Sequence, residues 1–194
     1  MKKLFLTLTA AAALTAASAQ TKWNLDASHS NIKFAVTHLV VSEVEGSFKM
    51  FNGSVTAKDE TFENGVADFT VDVASVNTDN ADRDNHLKGE DFFNAEKFPK
   101  MTFKSKSFKK VKGNQYKLVG DLTIRDVTKT VTFDVTFGGV AKDPWGNTKA
   151  GFKGTTTIKR LDYKLTWNKL LETGGAVVSD DVVITVNIEL NKSK

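Results

Sequence analysis

The sequence predicts an all-β chain, an eight-stranded antiparallel β-barrel with short helices covering its ends. Three observations carry that prediction. Apolar residues recur at every second position over most of the chain, the period of a strand with one buried and one wetted face. Clusters of glycine, asparagine and aspartate punctuate the alternation at short intervals, as turns do. Proline occurs only twice in 194 residues, so little interrupts a hydrogen-bonded ladder.

Ahead of the first strand, Lys2 and Lys3 precede an apolar stretch from Leu4 to Ala17 that ends in Ala17-Ser18-Ala19. A basic start, a short apolar centre and a small-x-small end form the pattern of a secretory signal peptide, so residues 1–19 are expected to be removed on export. The domain is then expected over residues 20–194, in the periplasm or secreted. The stretch, broken by Thr7, Thr9 and Thr15, is shorter than the roughly 20 residues that span a membrane as a helix. Without Lys2 and Lys3, 25 basic residues face 23 acidic ones, and the formal charge falls from +4 to +2. That balance argues against a nucleic-acid partner, and the lysines at 104, 106, 109, 110 and 112 read as one solvated strand face. Cysteine is absent, so neither a disulfide nor a lipid-anchoring thiol is available.

The strands follow in order. Ile32, Phe34 and Val36 share one face of the first, and Phe48 and Met50 begin a second that continues weakly to Val55 and Ala57. Ala67, Phe69, Val71 and Val73 alternate most cleanly, followed by Met101 and Phe103, then by Tyr116, Leu118, Gly120, Leu122 and Ile124. Val131, Phe133, Val135 and Phe137 make the next face. Phe152, Gly154, Thr156 and Ile158 make a more polar one, and Val182, Ile184, Val186, Ile188 and Leu190 close the set. The expected separators are Asn52-Gly53, Asn64-Gly65, Lys112-Gly113-Asn114, Gly138-Gly139 and Asp143-Pro144-Trp145-Gly146. Eight strands suffice to close a barrel that holds side chains or one small ligand, and closure removes exposed sheet edges.

Two stretches break the rhythm. Thr78 to Leu87 is polar, with Thr78 as a cap and Gly89 as a stop, and predicts a short helix. Leu161 to Glu172 carries leucines at loosely helical spacing before Gly174-Gly175 and predicts a second. Arg83-Asp84 reads as an internal ion pair or cap fixing the first helix. His29, His38 and His86, with Asp26, Asp82 and Asp84, are the one group that suggests metal or acid-base chemistry. Their spacing matches no known metal motif, and the backbone-bonding reading is preferred. No nucleophile elbow or phosphate loop is found, and no cofactor is expected.

The order of short motifs resembles the YceI-like family. It is carried by Asp26-Ala27-Ser28-His29-Ser30, Ile32-Lys33-Phe34, Thr37-His38-Leu39, Glu45-Gly46-Ser47-Phe48 and Arg83-Asp84-Asn85-His86-Leu87. Asp91-Phe92-Phe93-Asn94-Ala95, Phe98-Pro99, Gly120-Asp121-Leu122-Thr123-Ile124, Val127-Thr128-Lys129, Trp145-Gly146 and Ala150-Gly151-Phe152 continue it. Two positions depart from the pattern, Asp126 and Lys164, where glycine is usual. The resemblance implies a lipocalin-like barrel around a long apolar tunnel, in periplasmic proteins that bind polyisoprenoids.

The expected lining is Phe34, Val36, Phe48, Met50, Phe69, Val71, Phe103, Leu122, Ile124, Phe133, Val135, Phe152 and Ile184. Phe92 and Phe93 join it from the long connection before Met101, a lid or a satellite core. Alternation alone fits a filled core as well as a hollow one; the resemblance favours a cavity holding a lipid-like molecule. An interaction or stress-related protein using the barrel as scaffold is the alternative, and a metal-assisted enzyme at the histidines a further one. A transient membrane contact and a homodimer are both compatible with the sequence.

Overall fold

The computed structural model of the protein describes residues 20–169 and 176–193; the expected signal peptide and Leu170 to Gly175 lie outside the described residues. The strands are β1 (Thr21–Leu25), β2 (Asn31–His38), β3 (Ser42–Phe48), β4 (Phe51–Ala57), β5 (Val66–Asp72) and β6 (Val76–Asn77). Helix α1 (Ala81–Lys88) follows, then β7 (Lys100–Lys112), β8 (Gln115–Ile124), β9 (Val127–Lys142), β10 (Thr148–Lys159) and β11 (Val178–Lys192). Every neighbouring pair is antiparallel, and pairing of β1 with β11 closes the sheet through Trp23 opposite Lys192 and Leu25 opposite Leu190.

The closed circuit runs β1, β4, β5, β7, β8, β9, β10 and β11, the eight-stranded barrel that the alternation predicts. β2, β3 and β6 prolong three of these strands at one end. β1 and β2 both pair with β11, interrupted by a single 3-10 turn at Ala27–His29 that the Asp26 carboxylate caps by accepting from the Ser28 N–H. β3 and β4 form the next interrupted strand, and β5 and β6 a third across the turn Val73–Ser75.

The interruption between β3 and β4 and a bulge in β9 account for three departures from the sequence reading. Asn52-Gly53 is not a turn but part of β4; the break lies at Lys49 and Met50, whose N–H groups bond to Ser75. One residue of slip exchanges the faces of a strand. Phe48 therefore points inward before the break and Val55 and Ala57 after it, while Met50 is turned out, 62% exposed. Gly138-Gly139 is not a turn either. It lies inside β9 as a bulge, with Gly139 opposite Gly151 and Phe137 opposite Phe152, and Gly139 takes a φ of 102°. The turns at Asn64-Gly65, Lys112-Gly113-Asn114 and Asp143 to Gly146 form where expected; the Asp143 carboxylate accepts from the N–H groups of Trp145 and Asn147.

The two ends of the barrel are closed differently. At one, the β4–β5 loop folds inward and inserts Phe62, which is fully buried, its ring 4.9 Å from those of Trp23 and Phe152 and 5.6 Å from Phe137. The loop is held by Tyr116 Oη donating to the Thr61 carbonyl at 2.9 Å and by the Asn64 N–H donating to the Phe108 carbonyl at 2.7 Å. At the other end lie α1, the segment from Gly89 to Pro99 and the segment from Arg160 to Lys169. Asn80 rather than Thr78 caps α1, by accepting from the Arg83 N–H, and Gly89 ends it. The expected second helix is absent through Lys169. A single 3-10 turn, Arg160–Tyr163, gives way at Lys164 (φ 61°) to irregular backbone through Lys169. There Arg160 Nη1 donates to the carbonyls of Leu165 and Trp167 at 2.6 and 2.7 Å. Among the described residues no helix is long and apolar enough to cross a membrane.

Candidate functional site

Thirteen of the fourteen phenylalanines lie beyond the expected signal peptide, enough to fill a small barrel if their rings pointed to its axis. Several do not, because glycines on the adjacent strand leave room for a ring to lie along the wall. Phe34 stands opposite Gly46, where a Cβ would sit 2.2 Å from its ring. Phe69 stands opposite Gly53 and Phe103 lies beside Gly120, with equally close approaches of 2.2 and 2.4 Å. Rings laid over glycines cover backbone, as in aromatic rescue, instead of occupying the lumen.

What remains is a cavity of about 360 Å³ running along the barrel, within the roughly 300–1,000 Å³ typical of small-molecule sites. Its surface is almost wholly carbon. Fourteen of the fifteen expected residues line it: Phe34, Val36, Phe48, Phe69, Val71, Phe92, Phe93, Phe103, Leu122, Ile124, Phe133, Val135, Phe152 and Ile184. Met50 is the exception, for the parity reason given above. Its deep end reaches Phe108, Val55 and Leu190 beside the Phe62 plug, and Val182, Val186 and Ile188 line it from β11. Those β11 residues are in the alternation, which marks them as inward without distinguishing lining from packed core. Leu165 and Trp167, read as part of a helix covering the barrel's end and not as lining, also border the cavity.

The lid end is built by three aromatic side chains from three segments. The His86 ring lies 5.0 Å from Phe92 and 5.4 Å from Trp167, and Phe92 lies 5.6 Å from Trp167. Phe93 closes over Phe48 at 5.7 Å. The Trp167 N–H donates to the Asp91 carbonyl, and Arg125 Nη1 lies 2.9 Å from the Phe92 carbonyl and 2.7 Å from that of Lys164, tying the two lid segments to the β8–β9 turn. The two departures from the family pattern meet here, Lys164 Nζ pairing with Asp126 at 2.8 Å.

Thr78, Arg83 and Arg160, which border the cavity, are committed to structure. Arg83 and Asp84 do not pair directly. Both bond Thr78, whose hydroxyl accepts from Arg83 Nε at 2.8 Å and donates to the buried Asp84 carboxylate at 2.6 Å. Buried Arg160 donates to the carbonyls of Leu165, Trp167, Val178 and Ser179, and burial holds its guanidinium below its ordinary range.

The three histidines are not brought together. His86 borders the cavity and reaches Asp91 at 3.4 Å; His38 borders it from the end of β2. His29 lies with Asp26 and Glu189, which among the described residues is the one set of three side chains with metal-ligand spacing. That set already holds a cation: Lys149 Nζ lies 2.6 Å from Asp26 and 3.0 Å from Glu189. The Lys149 bond, then that of Ser28, holds the Asp26 carboxyl far below the usual carboxylate range.

A chain with this barrel has known counterparts. A model of the YceI-like domain matches residues 23–190. A UPF0312 protein of Staphylococcus aureus is 41% identical over 175 residues, covering 90% of this chain and 99% of that protein. Among solved structures, Burkholderia cenocepacia BcnA superposes with a TM-score of 0.73 at 29% identity, over 85% of this chain and 98% of the other. The Campylobacter jejuni YCEI protein does so with 0.70 at 37% identity, over 81% and 90%. A domain from Saccharophagus degradans, described as polyisoprenoid-binding and implicated in plant cell wall breakdown, shares the fold, with a TM-score of 0.64 at 14% identity over 88% and 98%. With the motifs, the closed barrel and a family match spanning nearly all of the described residues, the chain belongs to the YceI-like family.

Proposed function

We propose that this protein binds one long-chain, mostly hydrocarbon molecule along the barrel axis, a polyisoprenoid, an isoprenoid quinone or a related amphiphile, and carries or stores it without chemical change. The observation that carries the reading is the continuous carbon-lined cavity between the Phe62 plug and the aromatic lid. Each CH₂ removed from water contributes roughly 0.8 kcal/mol, so a ten-carbon stretch supplies about 8 kcal/mol before ordering and association costs. Burial alone suffices, and no catalytic group is required. The description of the Saccharophagus domain as polyisoprenoid-binding supports the ligand class. Export to the periplasm is supported by Lys2-Lys3, the apolar stretch and Ala17-Ser18-Ala19, all outside the matched residues 23–190.

The test is titration of residues 20–194 with an environment-sensitive fluorescent fatty acid, followed by displacement with geranylgeraniol. Ile184→Trp places an indole in the cavity and is expected to weaken binding roughly tenfold or more, because it fills volume the ligand needs. No probe binding, or equal binding by Ile184→Trp, contradicts the reading.

A further inference from the structure

The β2–β3 hairpin ends in Leu39, Val40 and Val41, which are 39%, 72% and 83% exposed. Three consecutive exposed aliphatic residues in a soluble domain are a defect unless they serve a function. Their backbone sharpens the point. The Val41 N–H donates to the His38 carbonyl, and the two central residues of that turn, Leu39 and Val40, have φ of 51° and 65°. Two positive φ values are the sign pattern of a type I′ turn, which asparagine and glycine favour and a β-branched residue opposes. A turn that asparagine-glycine would satisfy in both conformation and solubility instead holds Leu-Val. Places where local rules are broken without local gain mark function.

The position of the tip says which function. His38, immediately before it, borders the cavity, as do Val177 and Val178 alongside; the Leu39 N–H donates to the Val177 carbonyl at 2.9 Å, and Val178 pairs with His38. The tip therefore projects from the lid end. We propose that Leu39, Val40 and Val41 insert into a lipid bilayer surface and set the cavity mouth against it, so that an apolar ligand passes between membrane and barrel with little exposure to water. This rests on the reading that the cavity holds such a ligand. A bilayer suits the feature better than a second copy of the chain. Three side chains on a convex tip are a small part of the roughly 800 Å² per partner that a stable protein interface buries, whereas a lipid surface accepts a narrow protrusion. The tip from Leu39 to Ser42 carries no charged residue, so insertion desolvates no ion.

The experiment is co-sedimentation of residues 20–194, which contain the whole closed barrel, with vesicles of phosphatidylethanolamine and phosphatidylglycerol. The double variant L39N/V40G installs the favoured turn and removes the apolar tip. A merely structural tip predicts no change in sedimentation; the proposal predicts a melting temperature equal or higher and a vesicle partition coefficient lower by roughly tenfold or more, since two aliphatic side chains no longer enter an apolar phase. V41S, outside the positive-φ pair, removes the most exposed aliphatic side chain without adding a charge that anionic lipid would attract; it is expected to reduce partition while keeping the fold, and serves should the double variant fail to fold. Unmodified protein that stays in the supernatant, or variants that sediment as well as it does, overturns the proposal. So does a dimer seen by analytical ultracentrifugation that L39N/V40G dissociates without vesicle binding. Lipid in a solvent extract of protein that ignores vesicles rejects the docking surface alone; vesicle binding by a barrel that binds no apolar ligand rejects the cavity reading alone.

Discussion

At the scale of single residues, the difference between a filled and a hollow barrel rests on glycines. Gly46 faces Phe34, and a Cβ there would lie 2.2 Å from the ring and 2.8 Å from Thr78 Cγ2. Gly46→Ala is expected to push the Phe34 ring toward the lumen, lowering stability by about 1–3 kcal/mol as overpacking does, and to weaken ligand binding as well. Urea unfolding and probe titration check the two effects. Lys149 offers a second residue-scale test. Its ammonium, in part-buried contact with Asp26 and Glu189, holds the Asp26 carboxyl below its ordinary 3.8 and is itself raised above 10.5. A lowered acid contributes stability that is full above its unfolded value and lost as pH falls; a raised lysine contributes stability that is lost as pH rises through its folded value. The pair therefore stabilises most between about pH 4 and 10, and Lys149→Met is expected to cost about 1–3 kcal/mol at neutral pH. Urea midpoints across pH should show a flatter acid limb in that variant.

At the scale of elements, the strands were legible because alternation survives any single irregularity. Their joints were less so. Asn52-Gly53 and Gly138-Gly139 read as turns, yet glycine serves two other purposes there: space for Phe69, and a bulge in β9. Met50 followed from continuing the Phe48 register across a break that local composition does not mark. The segment after Leu161 has helical spacing, yet through Lys169 it forms only the turn Arg160–Tyr163, and Arg160 donates to the carbonyls of Leu165 and Trp167. Phe62 was invisible because a lone phenylalanine in a polar loop carries no period. Its removal is nonetheless expected to be severe: Phe62→Ala deletes the ring between Trp23 and Phe152 and should cost about 3–5 kcal/mol, read as a drop in the urea midpoint. Truncations at the lid, such as Trp167→Ala, should cost less stability and speed ligand exchange, since Trp167 is half-buried at the mouth; stopped-flow release of the fluorescent fatty acid measures this.

At the scale of the whole molecule, one barrel carries two unlike ends, an aromatic plug and a hinged-together lid, around a carbon-lined lumen. Inward positions were almost all readable from sequence, and fourteen of fifteen chosen residues line the cavity. Hollowness was not, since it depends on where rings lie relative to glycines across the strand, a relation set by register. The most direct test of the central claim is mass spectrometry of an organic-solvent extract of the protein, purified without detergent from the cells that make it. The account predicts one long-chain, mostly hydrocarbon compound per barrel, reduced in Ile184→Trp. An extract without such a compound, from protein that also fails to take up geranylgeraniol, contradicts it.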